Sequence, residues 1–356
     1  MNPAQSDPLS RDQIECFRRD GVLVVENILS TKELATARQG LCDTLRRHGV
    51  HPEDLAHTGQ HLQSLSSTGG SGGVLDLFYD EWKLQVALHP KLFAATRQLW
   101  RAIYYQESEK SDIPTWQKHP YGPFDTSRGY AYMDRIGYRL PTALARELGE
   151  LHHPHKKKKQ RPIQRSLTPH LDCCPHSLFQ NVDKWRPIQS FVSLTDNLKA
   201  HTGGFEAARG FHTEFHEWIA QRPPCASGQP APCLGEYTHI RPQEDVDIMQ
   251  RVQHVPVPAG SAVFWDIRIP HANAYRHEGD EPRAVVYASF LPDVQLNRAY
   301  VRRQLRQWQR GLQPTDQWVA QDKEADAELQ LSREQQEKLS LLQRKLLAME
   351  PWGEDG

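Results

Sequence analysis

The chain has 356 residues, of which 38 % are apolar and 24 % charged, with a formal net charge of −1. These values fit a soluble globular protein long enough to bury a sizeable core. The balanced charge leaves no global field pulling it toward nucleic acid or an anionic membrane, and no run of about 18 apolar residues is present to span a bilayer.

Near the start, Ser10 and Gln13 have the spacing of a capping box, and Gly21 is placed to stop the helix they open. The β-branched run GVLVVENIL (21–29) predicts a strand. Ser30 with Glu33 repeats the capping pattern ahead of a helix that ends near Gly49. Residues 50–74 are expected as a loop that closes in the cluster TGGSGG (68–73). Residues 75–105 carry helical spacing broken at Pro90, and YAYMDRIGYRL (130–140) is strand material. The basic stretch ELHHPHKKKKQRPIQR (150–165) has no apolar periodicity and is expected as a solvated loop between strands.

From 166 to 292 the character changes. Short β-like runs (PIQSFVSLTD, HVPVP, SAVFWDIRI, RAVVYASFL) alternate with Pro/Gly turns, the pattern of a sandwich or barrel. Residues 210–221 are expected as a helical insert, and 221–235 as a Pro-rich loop. Toward the C-terminus, Ser332 and Gln335 form another capping box, followed by Leu339, Leu342 and Leu346 on one helical face. No repeat is present at the periods of solenoids or propellers. The expectation is one domain over 1–356: support elements in 1–128, a β-rich core in 129–292 carrying a basic insertion at 151–165, and C-terminal helices in 293–356.

The opening MNPAQSDPLSRDQ lacks the basic start and apolar run of a secretory signal. Cys16, Cys42, Cys173, Cys174, Cys225 and Cys233 form no CxxC pair, which argues against structural zinc. So few cysteines in so long a chain make a reducing intracellular compartment, the cytoplasm, the expected setting.

The segment TPHLDCCPH (168–176) carries the chemistry. His170 and Asp172 are two apart, so on a strand both point to one face. With a distant histidine they would make a two-histidine, one-carboxylate set, which leaves positions open and suits iron(II) oxygenases. The pair alone is weak: with 18 histidines and aspartate at roughly 5 %, about one HxD arises by chance. A decoy, His212 with Glu214, is also present. The third member strengthens the case. GSAVFWDIRIPHAN (260–273) places His271 after a strand and a bend, and Arg283 heads the β-run RAVVYASF twelve residues later. A guanidinium grips a carboxylate through two parallel hydrogen bonds, as the far end of a dicarboxylate requires.

On these residues the chain resembles the phytanoyl-CoA dioxygenase-like family over 8–292. IECFRRDGVLVVENILS resembles the family's opening helix and strand. PHLDCCP, SLTDNLKAHTGGFEAARGFH, PHAN and Arg283 then follow in family order. The resemblance implies a β-rich α+β fold: a double-stranded β-helix, the jelly-roll or cupin-type barrel, flanked by N- and C-terminal helices. It implies iron(II) on His170, Asp172 and His271, with Arg283 on the distal carboxylate of 2-oxoglutarate and O2 as oxidant. Related halogenases lack the carboxylate, so Asp172 points to hydroxylation, with succinate and CO2 released. His212 falls in the turn after the GG pair and is expected to be structural.

Gln189, Tyr132 and Arg135 are further candidates for the cosubstrate, with packing roles as alternatives. Cys173 and Cys174, a departure from the family, are expected as small buried side chains. The substrate is expected to be a small organic molecule. Trp116 and Tyr130 could line its pocket, alongside Tyr121, Phe124 and Tyr132. Lys156 and Lys157 in the KKKK run could meet an anionic group, although a solvated loop is the commoner meaning of such a run. Three rivals stand: a cupin-like metal isomerase or lyase that uses no 2-oxoglutarate, a non-catalytic binding protein on the same scaffold, and a nucleic-acid-modifying oxygenase, against which the neutral charge weighs.

Overall fold

Local capping signals set the helical ends. Ser10 Oγ accepts from the Gln13 amide at 3.2 Å, and Gln13 Oε1 accepts from the Ser10 amide at 2.9 Å, which opens the helix Arg11–Asp20. Gly21, with φ of 65°, ends it in the left-handed conformation that glycine tolerates best. The same box at Ser30 and Glu33 opens Thr31–Arg47. The computed structural model describes residues 7–107, 113–152, 161–175, 178–179, 182–221, 237–314 and 331–353.

The strands are β1 (Val22–Val25), β2 (Val74–Leu75), β3 (Gly129–Tyr132), β4 (Ile136–Arg139), β5 (His170–Leu171), β6 (Ile188–Ser193), β7 (Phe205–Ala208), β8 (Thr238–His239), β9 (Val252–His254), β10 (Ala262–Asp266), β11 (His271–Asn273), β12 (Arg283–Tyr287) and β13 (Ser289–Pro292). They pair antiparallel. A six-stranded sheet has the order β1-β10-β6-β12-β4-β2, a five-stranded sheet has the order β8-β5-β11-β7-β9, and β13 pairs with β3. The fold is therefore mixed α+β and sheet-rich.

The six-stranded sheet is buried on both faces. Ile188, Val192, Ala262, Phe264, Ala284 and Val286 share one core with residues of the helices Thr31–Arg47, Glu81–Ala87 and Pro90–Leu99. Their strand neighbours Phe191, Val263, Trp265 and Val285 point the other way, into a second core with Leu171, Phe205 and Ala207 of the five-stranded sheet. Double burial explains why AVFW in β10 and AVV in β12 are continuous apolar runs with no polar alternation.

Several segments differ from expectation. Residues 50–74 are largely helical turns, with 3-10 segments at Pro52–Asp54 and Gly59–Leu65 around Leu55–Thr58; Leu55, Leu62 and Leu65 tie them to the core. A helix, Thr142–His152, stands where none was predicted. Within the basic stretch 150–165, residues 153–160 lie outside the described residues. Its end is not a solvated loop, because Ile163 and Gln164 are buried. Gln164 accepts from the Leu140 amide at 2.8 Å and donates to Tyr138 O at 2.9 Å. The Pro-rich stretch is outside the described residues from 222 onward. The C-terminal leucines do not share one helix: Arg333–Lys338 stops at Leu339, and a second capping box, Ser340 with Gln343, opens Leu341–Leu346. No helix among the described residues is long and apolar enough to cross a membrane.

The cluster TGGSGG lies against the segment 163–165 and against β4. Gly72 N donates to Arg165 O at 2.8 Å, and Tyr138 N donates to Gly73 O at 2.8 Å. A Cβ at Gly73, where φ is 69°, would sit 2.8 Å from the Arg139 Cα, so a side chain there would push this loop off the strand.

Phe264, fully buried on the helix-facing side of β10, tests this layering. Phe264→Ala is expected to lower the unfolding free energy by about 3–5 kcal/mol, measured by urea denaturation. A loss below about 1 kcal/mol would mean that the helical layer does not seal that face.

Candidate metal centre

The antiparallel pairing of β5 with β11 makes His170 and His271 direct cross-strand partners. Opposed residues project from the same face, and the ring centroids lie 4.5 Å apart. Asp172 follows β5 directly. Its Oδ1 lies 3.5 Å from His170 Nε2, and its Oδ2 lies 3.5 Å from His271 Nε2. One ligand atom from each of the three falls within 4.8 Å of the others.

Backbone carbonyls fix both tautomers. His170 Nδ1 is 2.8 Å from Thr168 O, and His271 Nδ1 is 2.9 Å from Ile269 O. A carbonyl only accepts, so each Nδ1 carries the proton and each Nε2 turns a lone pair toward Asp172. Burial, with the like charge of His271, pushes the His170 pKa down to about 4 and keeps the imidazole neutral. Burial alone would raise the Asp172 carboxyl. The surrounding basic groups, His271, His170 and Arg186, outweigh it and hold the group well below the usual carboxylate range. Two imidazole Nε2 atoms and one carboxylate form a donor set suited to a divalent cation.

The six-stranded sheet supplies the groups opposite. Gln189 on β6 donates from Nε2 to Asp172 Oδ2 at 2.7 Å, while its Oε1 is buried without a partner. That orphaned acceptor suits a water on a bound cation, so the residues fit a hydrated metal. Trp265 on β10 lies 5.2 Å from the His271 ring, and Tyr237 stacks on His170 at 4.7 Å.

Arg283, the first residue of β12, is 3 % exposed. Its Nη1 donates to Asn273 Oδ1 at 3.0 Å, its guanidinium lies over the Phe191 ring at 5.2 Å, and its Nε has no partner. Burial lowers its pKa, and no carboxylate among the described residues pairs with it. The cavity beside these groups has a volume of about 840 Å³, and the triad, Gln189, Tyr237 and Asn273 contribute to its wall.

The other sequence candidates separate. Tyr132 lines the cavity under Arg186, whose guanidinium lies 4.3 Å from the ring centroid. Trp116 lines it as well, with Arg268 over its ring. Arg135 lines the cavity too, and its Nε donates to Asp76 Oδ1 at 2.7 Å in a buried ion pair. Tyr130 packs with Tyr132, Leu291, Tyr300 and Val301 and is not among the residues that line the cavity. Lys156 and Lys157 lie outside the described residues. His212 is fully buried, with Nε2 3.1 Å from Arg18 O. Cys173 is a buried thiol donating to Ile267 O at 3.7 Å, whereas Cys174 is disulfide-bonded, so the two do not share one role as small buried side chains.

Asn273, Tyr287, Tyr237 and Arg139 went unrecognised in the sequence. Period two would have pointed to the first two: Asn273 is two residues beyond His271, and Tyr287 four beyond Arg283. Tyr237 carries no such signal.

Residues 228–347, under half of the chain, match the family model described as Gig2-like. The phytanoyl-CoA dioxygenase-like resemblance is thus carried by the residue pattern alone. No curated protein matches the chain. Among solved structures, GlcNAc Inducible Gene 2 (GIG2) of Candida albicans is similar at 14 % identity, covering 99 % of this chain and 79 % of that one, with a TM-score of 0.70. A hypothetical protein of Escherichia coli is similar at 15 % identity, covering 96 % and 82 %, with a TM-score of 0.69. At these identities the likeness establishes the fold alone.

Gln189 offers the test of this geometry. Gln189→Leu frees one oxygen of Asp172 and is expected to weaken Mn(II) or Co(II) binding about 10–100-fold by isothermal titration calorimetry. Unchanged affinity would show that the carboxylate needs no such support.

Proposed function

We propose that the chain is an iron(II)- and 2-oxoglutarate-dependent dioxygenase that hydroxylates a small organic substrate on a double-stranded β-helix scaffold. The observations that carry this are a two-histidine, one-carboxylate cluster on the wall of one cavity and, behind the cavity-lining Asn273, a buried arginine of the other sheet with no carboxylate partner among the described residues. A buried guanidinium with nothing to neutralise it costs stability unless an anion joins it. A dicarboxylate that chelates the metal at one end supplies that anion at the other.

His170, Asp172 and His271 would hold iron(II) and leave one side of it open to the cavity. When bound, iron(II) with 2-oxoglutarate and O2 supplies the oxidation of a C–H bond, with release of succinate and CO2. Arg283 fixes the far carboxylate and so the orientation of the keto acid. Gln189 holds the Asp172 carboxylate in place. Trp265, Phe205 and Tyr237 wall the ligands with apolar surface, which keeps water away and strengthens the charge interactions inside. The carboxylate of Asp172 favours hydroxylation over halogenation, where that position must be empty.

An anaerobic visible spectrum decides the matter. Iron(II) with 2-oxoglutarate should give a charge-transfer band that needs both components and is lost in Asp172→Ala and His271→Ala. Substrate-dependent succinate release should follow. Metal binding with no such band would favour a cupin-like isomerase or lyase and remove the role given to Arg283.

A further inference from the structure

Arg283 is not alone. It pairs across the sheet with Arg139 of β4, and directly opposed residues of an antiparallel pair lie on one face with Cα atoms about 4.5–5.5 Å apart. Arg139 is 4 % exposed. Its Nη1 donates to Arg165 O at 3.3 Å and its Nη2 to Tyr275 O at 3.1 Å, while its Nε is buried without a partner. His277 adds a third basic group, with a buried and unpartnered Nε2.

Burial, the charge of Arg139 and the charge of Arg283 all act to discharge the His277 imidazole. Burial and the neighbouring Arg283 lower Arg139 in the same way, to about 10. No carboxylate lies within ion-pair distance of either arginine among the described residues. Glu206, the acid that feels Arg139, has its own pKa raised by burial.

Two like charges buried side by side are unfavourable in the low dielectric of an interior. The other buried arginines among the described residues show the usual remedy, Arg135 on Asp76, Arg186 on Asp134 and Arg268 on Asp266. Arg139 and Arg283 have only neutral acceptors. The group between them and the cavity is Asn273, whose Oδ1 takes the Nη1 donor of Arg283.

We propose that Arg139 and Arg283 form a two-arginine cradle for the distal carboxylate of the cosubstrate, with the Asn273 carbonyl oxygen standing where one carboxylate oxygen binds. This rests on the oxygenase reading above and extends it by one residue, Arg139, which adds a second guanidinium at the distal carboxylate.

The experiment is calorimetry on the full chain loaded with Mn(II), titrated with 2-oxoglutarate and separately with pyruvate, which keeps the chelating end and lacks the far carboxylate. Arg139→Gln is expected to weaken 2-oxoglutarate binding about tenfold or more, the scale of one charge-assisted hydrogen bond. Mn(II) and pyruvate affinities should stay within twofold. If Arg139→Gln lowers the melting temperature but leaves 2-oxoglutarate affinity within twofold of wild type, Arg139 only clasps the carbonyls of Arg165 and Tyr275 and the cradle is wrong. Should that variant fail to fold, Arg139→Lys keeps the charge but loses the guanidinium fork. A severalfold weakening confined to 2-oxoglutarate supports the cradle, and equal affinities overturn it. Wild-type protein that binds Mn(II) but neither keto acid would instead overturn the oxygenase reading itself.

Discussion

Everything at the candidate site depends on one register. β5 and β11 align so that His170 stands opposite His271, and the two rings and Asp172 follow from that alignment. Because side chains alternate with period two, a slip of one residue would turn one imidazole to the opposite face of the sheet. The backbone carbonyls of Thr168 and Ile269, each two residues before its histidine, then fix both rings. The chain thus orients its ligands with its own backbone, and only Asp172 relies on a side chain from the other sheet.

That second sheet gives the site its electrostatic contrast. Gln189, Arg139 and Arg283 lie on neighbouring strands of one plate whose outer face is packed by helices. The helices keep the plate dry, and on its inner face Arg139 and Arg283 lie behind Asn273, which lines the cavity whose other wall carries the ligand set.

How much of this the sequence made legible depends on distance along the chain. Capping at Ser10, Ser30 and Ser332 was readable because each box spans four residues. The box at Ser340 was overlooked, since Leu339, Leu342 and Leu346 suggested a continuous face. The HxD pair was readable because period two is local. Arg135 and Arg139 could not be told apart, because what separates them is Asp76, 59 residues away from Arg135. Tyr130 and Tyr132 share a strand, a parity and a core cluster, and only tertiary packing brings Tyr132 alone under Arg186 and onto the cavity wall. The doubly buried strands hid their inward face for the same reason: both sides are apolar, so no alternation marks the cavity.

The two sheets are also unequal in size. β6, β10 and β12 run five or six residues each, whereas β5 and β8 run two and β11 three. Short strands share few backbone hydrogen bonds, so their amides exchange with solvent through openings far cheaper than global unfolding. The sheet that carries His170 and His271 is the one with the shorter strands, and the sheet that carries Arg139 and Arg283 has the longer ones. A cation held between β5 and β11 would act as a fastener across that weak seam. Ligand occupancy and the local order of the thin sheet would then be a single equilibrium rather than two.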